Sequence, residues 1–175
     1  MAVADGSGKK AAGALAIRLY QSADRERIRA LTTVGFAGVI VDYAIDERWP
    51  GASELPWTER KFLDVRADLA NHPDSCFVAE LNGEVVGFIT TVISDVKSQG
   101  HVRDLVVDDA LRGRGVGRHL LNHVLGEFRR RGLKVARIET LAHNEIGAHL
   151  FPAVGFQQVA TQYHYAMLLS EDGFN

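Results

Sequence analysis

Apolar residues recur along this chain with two different periods, and the switches between them predict the order of the elements. Ile17-Arg18-Leu19-Tyr20-Gln21 reads as a first strand. Ser22 is placed to cap a helix on which Ile28, Leu31 and Val34 recur three apart. Between 35 and 57, Gly35, Gly38, Pro50, Gly51 and Pro56 break up an apolar, aromatic stretch, and no regular element is read there. A second helix is expected after Thr58, with Phe62, Val65 and Leu69 on one face and Pro73 marking its end. Strands follow at 76–81, 85–93 and 101–107. The first two flank Asn82-Gly83, a dipeptide suited to a tight hairpin because both residues must reach positive φ. Beyond Arg112 the period lengthens: Val116, Leu120, Leu121, Val124, Leu125 and Phe128 mark one face of a helix ending near Gly132. Residues 135–141 read as a strand, and Ile146, Leu150, Phe151 and Val154 as one side of a short helix. Two closing strands are expected at 156–161 and 163–169. The order β-α-α-β-β-β-α-β-α-β-β predicts a mixed α/β sheet with helices on both faces.

At 175 residues, 46% hydrophobic and 24% charged, the chain fits one globular domain with a core of its own. That domain is expected over 14–170, with an Ala/Gly/Ser/Lys-rich tail at 1–13 and a short tail at 171–175. A net charge of −2 argues against nucleic-acid binding. No window reaches the roughly 18 apolar residues of a membrane span, so a cytoplasmic location is expected. Cys76, the only cysteine, rules out an intrachain disulfide or a multi-cysteine metal site, and reads as a buried, inert thiol. His119, His123 and Glu127 share one helix face, but they lack the spacing of a zinc motif and read as a solvated stripe; no metal is expected.

The informative stretch runs from Leu105-Val106-Val107 through Arg112-Gly113-Arg114-Gly115-Val116-Gly117-Arg118. A strand enters a glycine-rich turn that opens an amphipathic helix. Glycines let backbone N–H groups approach an anion, the helix N-terminus adds partial positive charge, and Arg112, Arg114 and Arg118 add full charges. These features specify a pyrophosphate cradle. A dinucleotide fingerprint would need a glycine at Arg118 and an earlier place in the chain, although Glu139 ends the next strand where a ribose-binding acid could lie. A P-loop would need Gly-Lys-Ser/Thr, which is absent.

Here the sequence resembles the GNAT superfamily of acetyl-CoA-dependent N-acetyltransferases. Leu105, Val107, Arg112, Gly115 and Gly117 match its Leu-x-Val, spacer, Arg/Gln-x-x-Gly-x-Gly/Ala pattern. Asn144, Gly147, Leu150-Phe151 and Gly155-Phe156 match a second signature except that Phe151 stands where the family carries tyrosine. The resemblance implies a twisted, mostly antiparallel sheet of six to seven strands whose fourth and fifth strands splay apart. It implies that Leu105, Val106 and Val107 hold the pantetheine arm of acetyl-CoA, that the amides of Gly113 to Arg118 hold its pyrophosphate, and that Asn144 and Phe151 border the cofactor.

Acetyl transfer requires a neutral amine, and a histidine titrates in the right range to take its proton. Period two puts His101, Arg103, Leu105 and Val107 on one strand face, and family members place a Glu or His at the position of His101. His101 is therefore the candidate base, acting directly or through water, against the alternative of a surface histidine at a strand start. The tyrosine that protonates the leaving thiolate in the family is Phe151 here, which has no proton to give. Asp42, Tyr43 and Trp49 are candidates for binding a cationic amine through charge and cation–π contact. The same aromatics would equally pack two helices together or form a homodimer contact. The acceptor is an amine of a small molecule or protein. Two alternatives remain at this level: an acyl-CoA-binding module without catalysis, and an NAD-binding enzyme of Rossmann type.

Overall fold

The computed structural model describes residues 14–169; the two expected tails, and residue 170 at the end of the expected domain, lie outside them. Five strands, β1 (Leu15–Leu19), β2 (Phe77–Leu81), β3 (Glu84–Ser94), β4 (Gln99–Val107) and β5 (Val135–Ile138), form one sheet in chain order. All neighbours are antiparallel except β4 and β5, which are parallel. Five helices accompany them: α1 (Arg25–Gly35), α2 (Val41–Arg48), α3 (Trp57–Asn71), α4 (Val116–Arg130) and α5 (Glu145–Val154). Asn82 and Gly83 take φ of 56° and 83°, as the β2–β3 hairpin requires.

The sheet separates two cores. On one side Ile28 and Leu31 of α1 meet Phe62, Val65 and Leu69 of α3 over Val78, Phe88 and Val106. On the other, Leu120, Leu121, Val124 and Phe128 of α4 cover Phe77, Ala79, Ile89 and Val102. Strand alternation and helix periodicity thus pack as expected, with one exception: Val34 is exposed and Thr32 takes the buried place, its hydroxyl donating to the Ile28 carbonyl at 2.8 Å.

Four expectations are corrected. First, α2 forms within the stretch read as irregular. It buries no residue fully, so its pattern is weak, and it is held from outside by Arg60 of α3, which bonds Asp42 and Asp46. Second, Ser22 does not cap α1; it opens a 3-10 turn (Ser22–Asp24) in which the Gln21 N–H donates to Asp24 at 2.8 Å. Third, no strand forms between 156 and 169, and the sheet has five strands rather than six or seven. Val159, Tyr163, Tyr165, Met167 and Leu169 are largely exposed. Extended chain gains its hydrogen-bond ladder only from a partner edge, and the short β5 pairs with β4 alone.

The fourth correction concerns β4. Thr90 pairs with Asp104 but Thr91 with Val102, so Arg103 is an extra residue in the ladder. The bulge exchanges the faces. Val102 packs toward α4, and a side chain at Gly100 would meet Phe128 there, whereas Val106 packs toward α1. His101 therefore lies on the α1/α3 side with Asp104, while Leu105 and Val107 pack toward α4. The single face shared by His101, Arg103, Leu105 and Val107 does not exist.

Candidate active site

Strands β4 and β5 stay paired over four positions, from Gln99 opposite Val135 to Val102 opposite Ile138. There β5 ends, while β4 runs on to Val107. The β4 backbone beyond Val102 thus has an open edge on that side. A cavity of about 140 Å³ occupies the fork. Leu105 and Asp104 reach it from β4, Glu139 and Thr140 from just past β5, Lys61 from α3, and Asn144 and Phe151 from α5. Three residues expected from sequence, Leu105, Asn144 and Phe151, meet here. Asn144 also caps α5, accepting from the Gly147 N–H at 3.4 Å and donating to the Thr140 hydroxyl at 2.8 Å.

The glycine-rich turn follows directly. Asp108, tied to Arg27, accepts the Ala110 N–H at 3.0 Å and so opens a 3-10 turn, Asp109–Leu111. Arg112 and Arg114 donate their N–H groups to the carbonyls of Asp109 and Leu111, which removes the Arg114 amide from the expected anion donors. Gly113 and Gly115 take φ of 74° and 85°, where a side chain would be strained. Gly115 is the N-cap of α4 and offers no side chain to it. The first N–H groups of the helix, at Val116, Gly117 and Arg118, accordingly have no intrahelical partner. Arg112 pairs with Asp109 at 2.6 Å, and among the described residues Arg114 and Arg118 carry no ion pair. Gly117 sits where α4 crosses β4 and α5, with room for an added Cβ only 3.3 Å from Leu150. Donors, positive φ and cationic side chains converge on one turn, and this is the chemistry of a phosphate site.

His101 stands beside the fork rather than in it. Its Nε2 is 3.5 Å from a Glu139 carboxylate oxygen, without the geometry of a hydrogen bond. Burial pushes its pKa below the usual histidine value; Glu139 and Asp104 oppose that, and Arg137 and Arg103 reinforce it. Burial thus favours the neutral imidazole. Burial acts to raise the Glu139 carboxyl, but the Arg137 hydrogen bond at 2.7 Å and the nearby cations outweigh it and hold it below the usual range. Sequence reasoning gave Glu139 only a passing role as a ribose-binding acid, and Lys61 and Asp104 none. The alternation from Arg137 to Glu139 at the end of β5 was the available signal for the first.

The expected amine-binding group does not assemble at the fork. Asp42 pairs with Arg60 at 3.2 Å, and Tyr43 packs edge-on against Trp57 with ring centroids 5.5 Å apart. Trp49 borders a separate, mostly apolar cavity of about 290 Å³, together with Val41, Ile45, Leu141 and Tyr165. His123 packs on Phe77 and His119 bonds the Gly115 carbonyl, so the two histidines do not converge. Cys76 is fully buried, and burial pushes its thiol up to about 12, the inert state expected.

The Acetyltransferase (GNAT) family model matches residues 41–156, from α2 to just past α5. The chain belongs to this family. It is 27% identical over 124 residues to the [ribosomal protein bS18]-alanine N-acetyltransferase of Escherichia coli, covering 70% of this chain and 77% of that one. It is 28% identical over 154 residues to the N-alpha-acetyltransferase RimI of Mycobacterium tuberculosis, covering 87% and 84%. In fold it is similar to the PaiA N-acetyltransferase of Thermoplasma acidophilum, solved in complex with coenzyme A, with a TM-score of 0.69 at 16% identity over 85% of this chain and 93% of that one. As a GNAT acetyltransferase the protein takes its acetyl group from acetyl-CoA and passes it to an amine. Two observations fit that donor: the open β4 edge suits an extended amide-bearing arm, and the uncapped α4 N-terminus suits a pyrophosphate. Among the described residues no helix is long and apolar enough to cross a membrane.

Proposed function

We propose that this acetyltransferase modifies the α-amine of a polypeptide or amino-acid-like acceptor, in a ternary complex formed at the β4–β5 fork. The observation that carries this reading is the Glu139 carboxyl group at the wall of a small cavity with His101 3.5 Å behind it. The names of the Escherichia coli and Mycobacterium tuberculosis relatives, a ribosomal-protein alanine N-acetyltransferase and an N-alpha-acetyltransferase, support the choice of acceptor.

Bound at the turn and fork, acetyl-CoA supplies the thioester carbon that the amine attacks. The protein does the rest. The amides of Val116, Gly117 and Arg118, with the Arg114 and Arg118 guanidinium groups, hold the pyrophosphate. The backbone of 105–107 aligns the arm as an added strand, and an N–H of that edge polarises the thioester carbonyl. Glu139 draws the acceptor's ammonium into the cavity. His101 accepts its proton, through Glu139 or a water, and leaves the amine neutral and in line. Phe151 contributes shape alone, so as the C–S bond breaks the departing CoA thiolate takes its proton from solvent.

The test is release of CoA thiol and a mass gain of one acetyl group on a peptide beginning with alanine, compared with spermidine and an aminoglycoside. Preference for the peptide supports the proposal. Faster transfer to the polyamine or the sugar amine would refute the choice of acceptor.

A further inference from the structure

We propose that Lys61 selects acceptors bearing a carbonyl or carboxylate oxygen on the carbon next to the amine, a discrimination that rests on the acetyl-transfer reading above. Lys61 leaves α3 on the sheet side and keeps 14% of its side chain exposed. Its Nζ lies 2.5 Å from Asp104 Oδ1, yet that oxygen has no hydrogen bond of normal geometry. The Phe36 ring, 4.6 Å from Nζ, contributes cation–π attraction rather than an acceptor lone pair. The second Asp104 oxygen is occupied by the Thr90 hydroxyl at 2.9 Å, and Asp68 lies 3.4 Å from the same hydroxyl. An ammonium has three N–H donors; Asp104 balances the charge of this one, and Lys61 also lines the fork cavity, where its remaining donors can meet an acceptor oxygen.

The shape of the cavity says what carries that oxygen. At about 140 Å³ it is well below the roughly 300 Å³ of the smallest drug-sized pockets, so its walls meet one small part of an acceptor rather than a whole large molecule. Its walls present an anion, Glu139, and a cation, Lys61. An α-amino acyl group answers both: the ammonium goes to Glu139 and the oxygen one carbon away to Lys61. A polyamine or a lysine ε-amine satisfies Glu139 and offers Lys61 no oxygen beyond that of Asp104.

Alaninamide and isopropylamine separate the cases, because they share a branched primary amine and differ in the carboxamide. Their kcat/KM values, per neutral amine, are measured in the parent, in Lys61→Met, and in Lys61→Met with Asp104→Asn. The double variant avoids stranding a buried carboxylate, and a rise in melting temperature with acetyl-CoA checks that each variant is folded. A lost hydrogen bond from a charged donor predicts that the alaninamide value falls about tenfold or more beyond the isopropylamine value, chiefly through KM. Lys61→Arg, which keeps donors and charge, restores part of the preference. Equal losses with both amines overturn the Lys61 proposal and leave acetyl transfer standing. No transfer to any amine by the parent overturns both.

Discussion

Replacing Gly115 by alanine separates the role of the α4 turn in folding from its role in binding. Gly115 caps α4 at a φ of 85°, a conformation that costs an L-residue about 1–2 kcal/mol. An added Cβ would stand 3.6 Å from the His119 ring, an ordinary contact, so no clash adds to the strain. Alanine also narrows the unfolded ensemble, which returns roughly 0.4–1 kcal/mol. The net loss is about 1 kcal/mol, or roughly 2–4 °C in melting temperature for a domain of this size. Binding suffers more. If the strained residue relaxes toward negative φ, the amides that open α4 turn away from the anion. Each charge-assisted hydrogen bond lost costs about 1.5–3 kcal/mol, at least tenfold in Kd. Gly51→Ala is the control, since Gly51 has a φ of 82° and nothing within 4 Å of its added Cβ, and it lies in the α2–α3 loop. Thermal unfolding and calorimetric titration with acetyl-CoA read the two effects separately. Both variants should lose similar stability, and only Gly115→Ala should lose affinity. Unchanged acetyl-CoA affinity in Gly115→Ala, with the expected thermal loss, would refute the assignment of this turn to the pyrophosphate.

Three further outcomes are expected. His101→Ala should lower kcat/KM by about 10²–10⁴ and abolish an acid limb lying below the usual histidine pKa, since burial lowers the His101 pKa; a pH–rate profile identical to the parent's would remove it as the base. Asp24, 7% exposed and bonded twice by Arg18 at 2.7 and 2.8 Å, is held below the usual carboxylate range by that guanidinium. Its stabilisation is therefore complete above the unfolded pKa near 3.9 and is lost as pH falls through the lower folded value. Asp24→Asn should cost about 1.5–3 kcal/mol at pH 7 in urea unfolding, since Arg18 keeps Glu80 as a partner, and flatten the acid side of the stability profile. Leu120→Ala, at a fully buried position on α4, should cost about 3–4 kcal/mol; a loss below 1 kcal/mol would mean that this core is loosely packed.

The elements that were legible are those whose periodicity meets a partner within the same pattern. Phe62, Val65 and Leu69 of α3, and the five buried residues of α4, face the sheet because a one-sided stripe has only one way to be buried. The turn between β4 and α4 was legible for a different reason: glycines at 113 and 115 answer a backbone demand that no tertiary contact alters. What escaped was whatever depends on a second segment. The helix α2 owes its place to Arg60, eighteen residues beyond Asp42. The chain at 156–169 has a strand's alternation but does not pair with the open outer edge of the short β5. The bulge at Arg103 leaves the buried–exposed alternation of β4 almost intact while reversing which core each residue enters. No pattern of hydrophobicity records that reversal, and it moved His101 away from the face of Leu105 and Val107 and beside Glu139.

That one extra residue has a kinetic consequence. Because β4 turns over at Arg103, the proposed base, His101, lies on the α1/α3 side, and the residues proposed to guide the donor, Leu105 and Val107, lie on the α4 side. On that proposal the acceptor and the donor meet at the fork from different faces of the sheet, and neither has to leave before the other enters. Initial rates with both substrates varied should then show sequential rather than ping-pong kinetics.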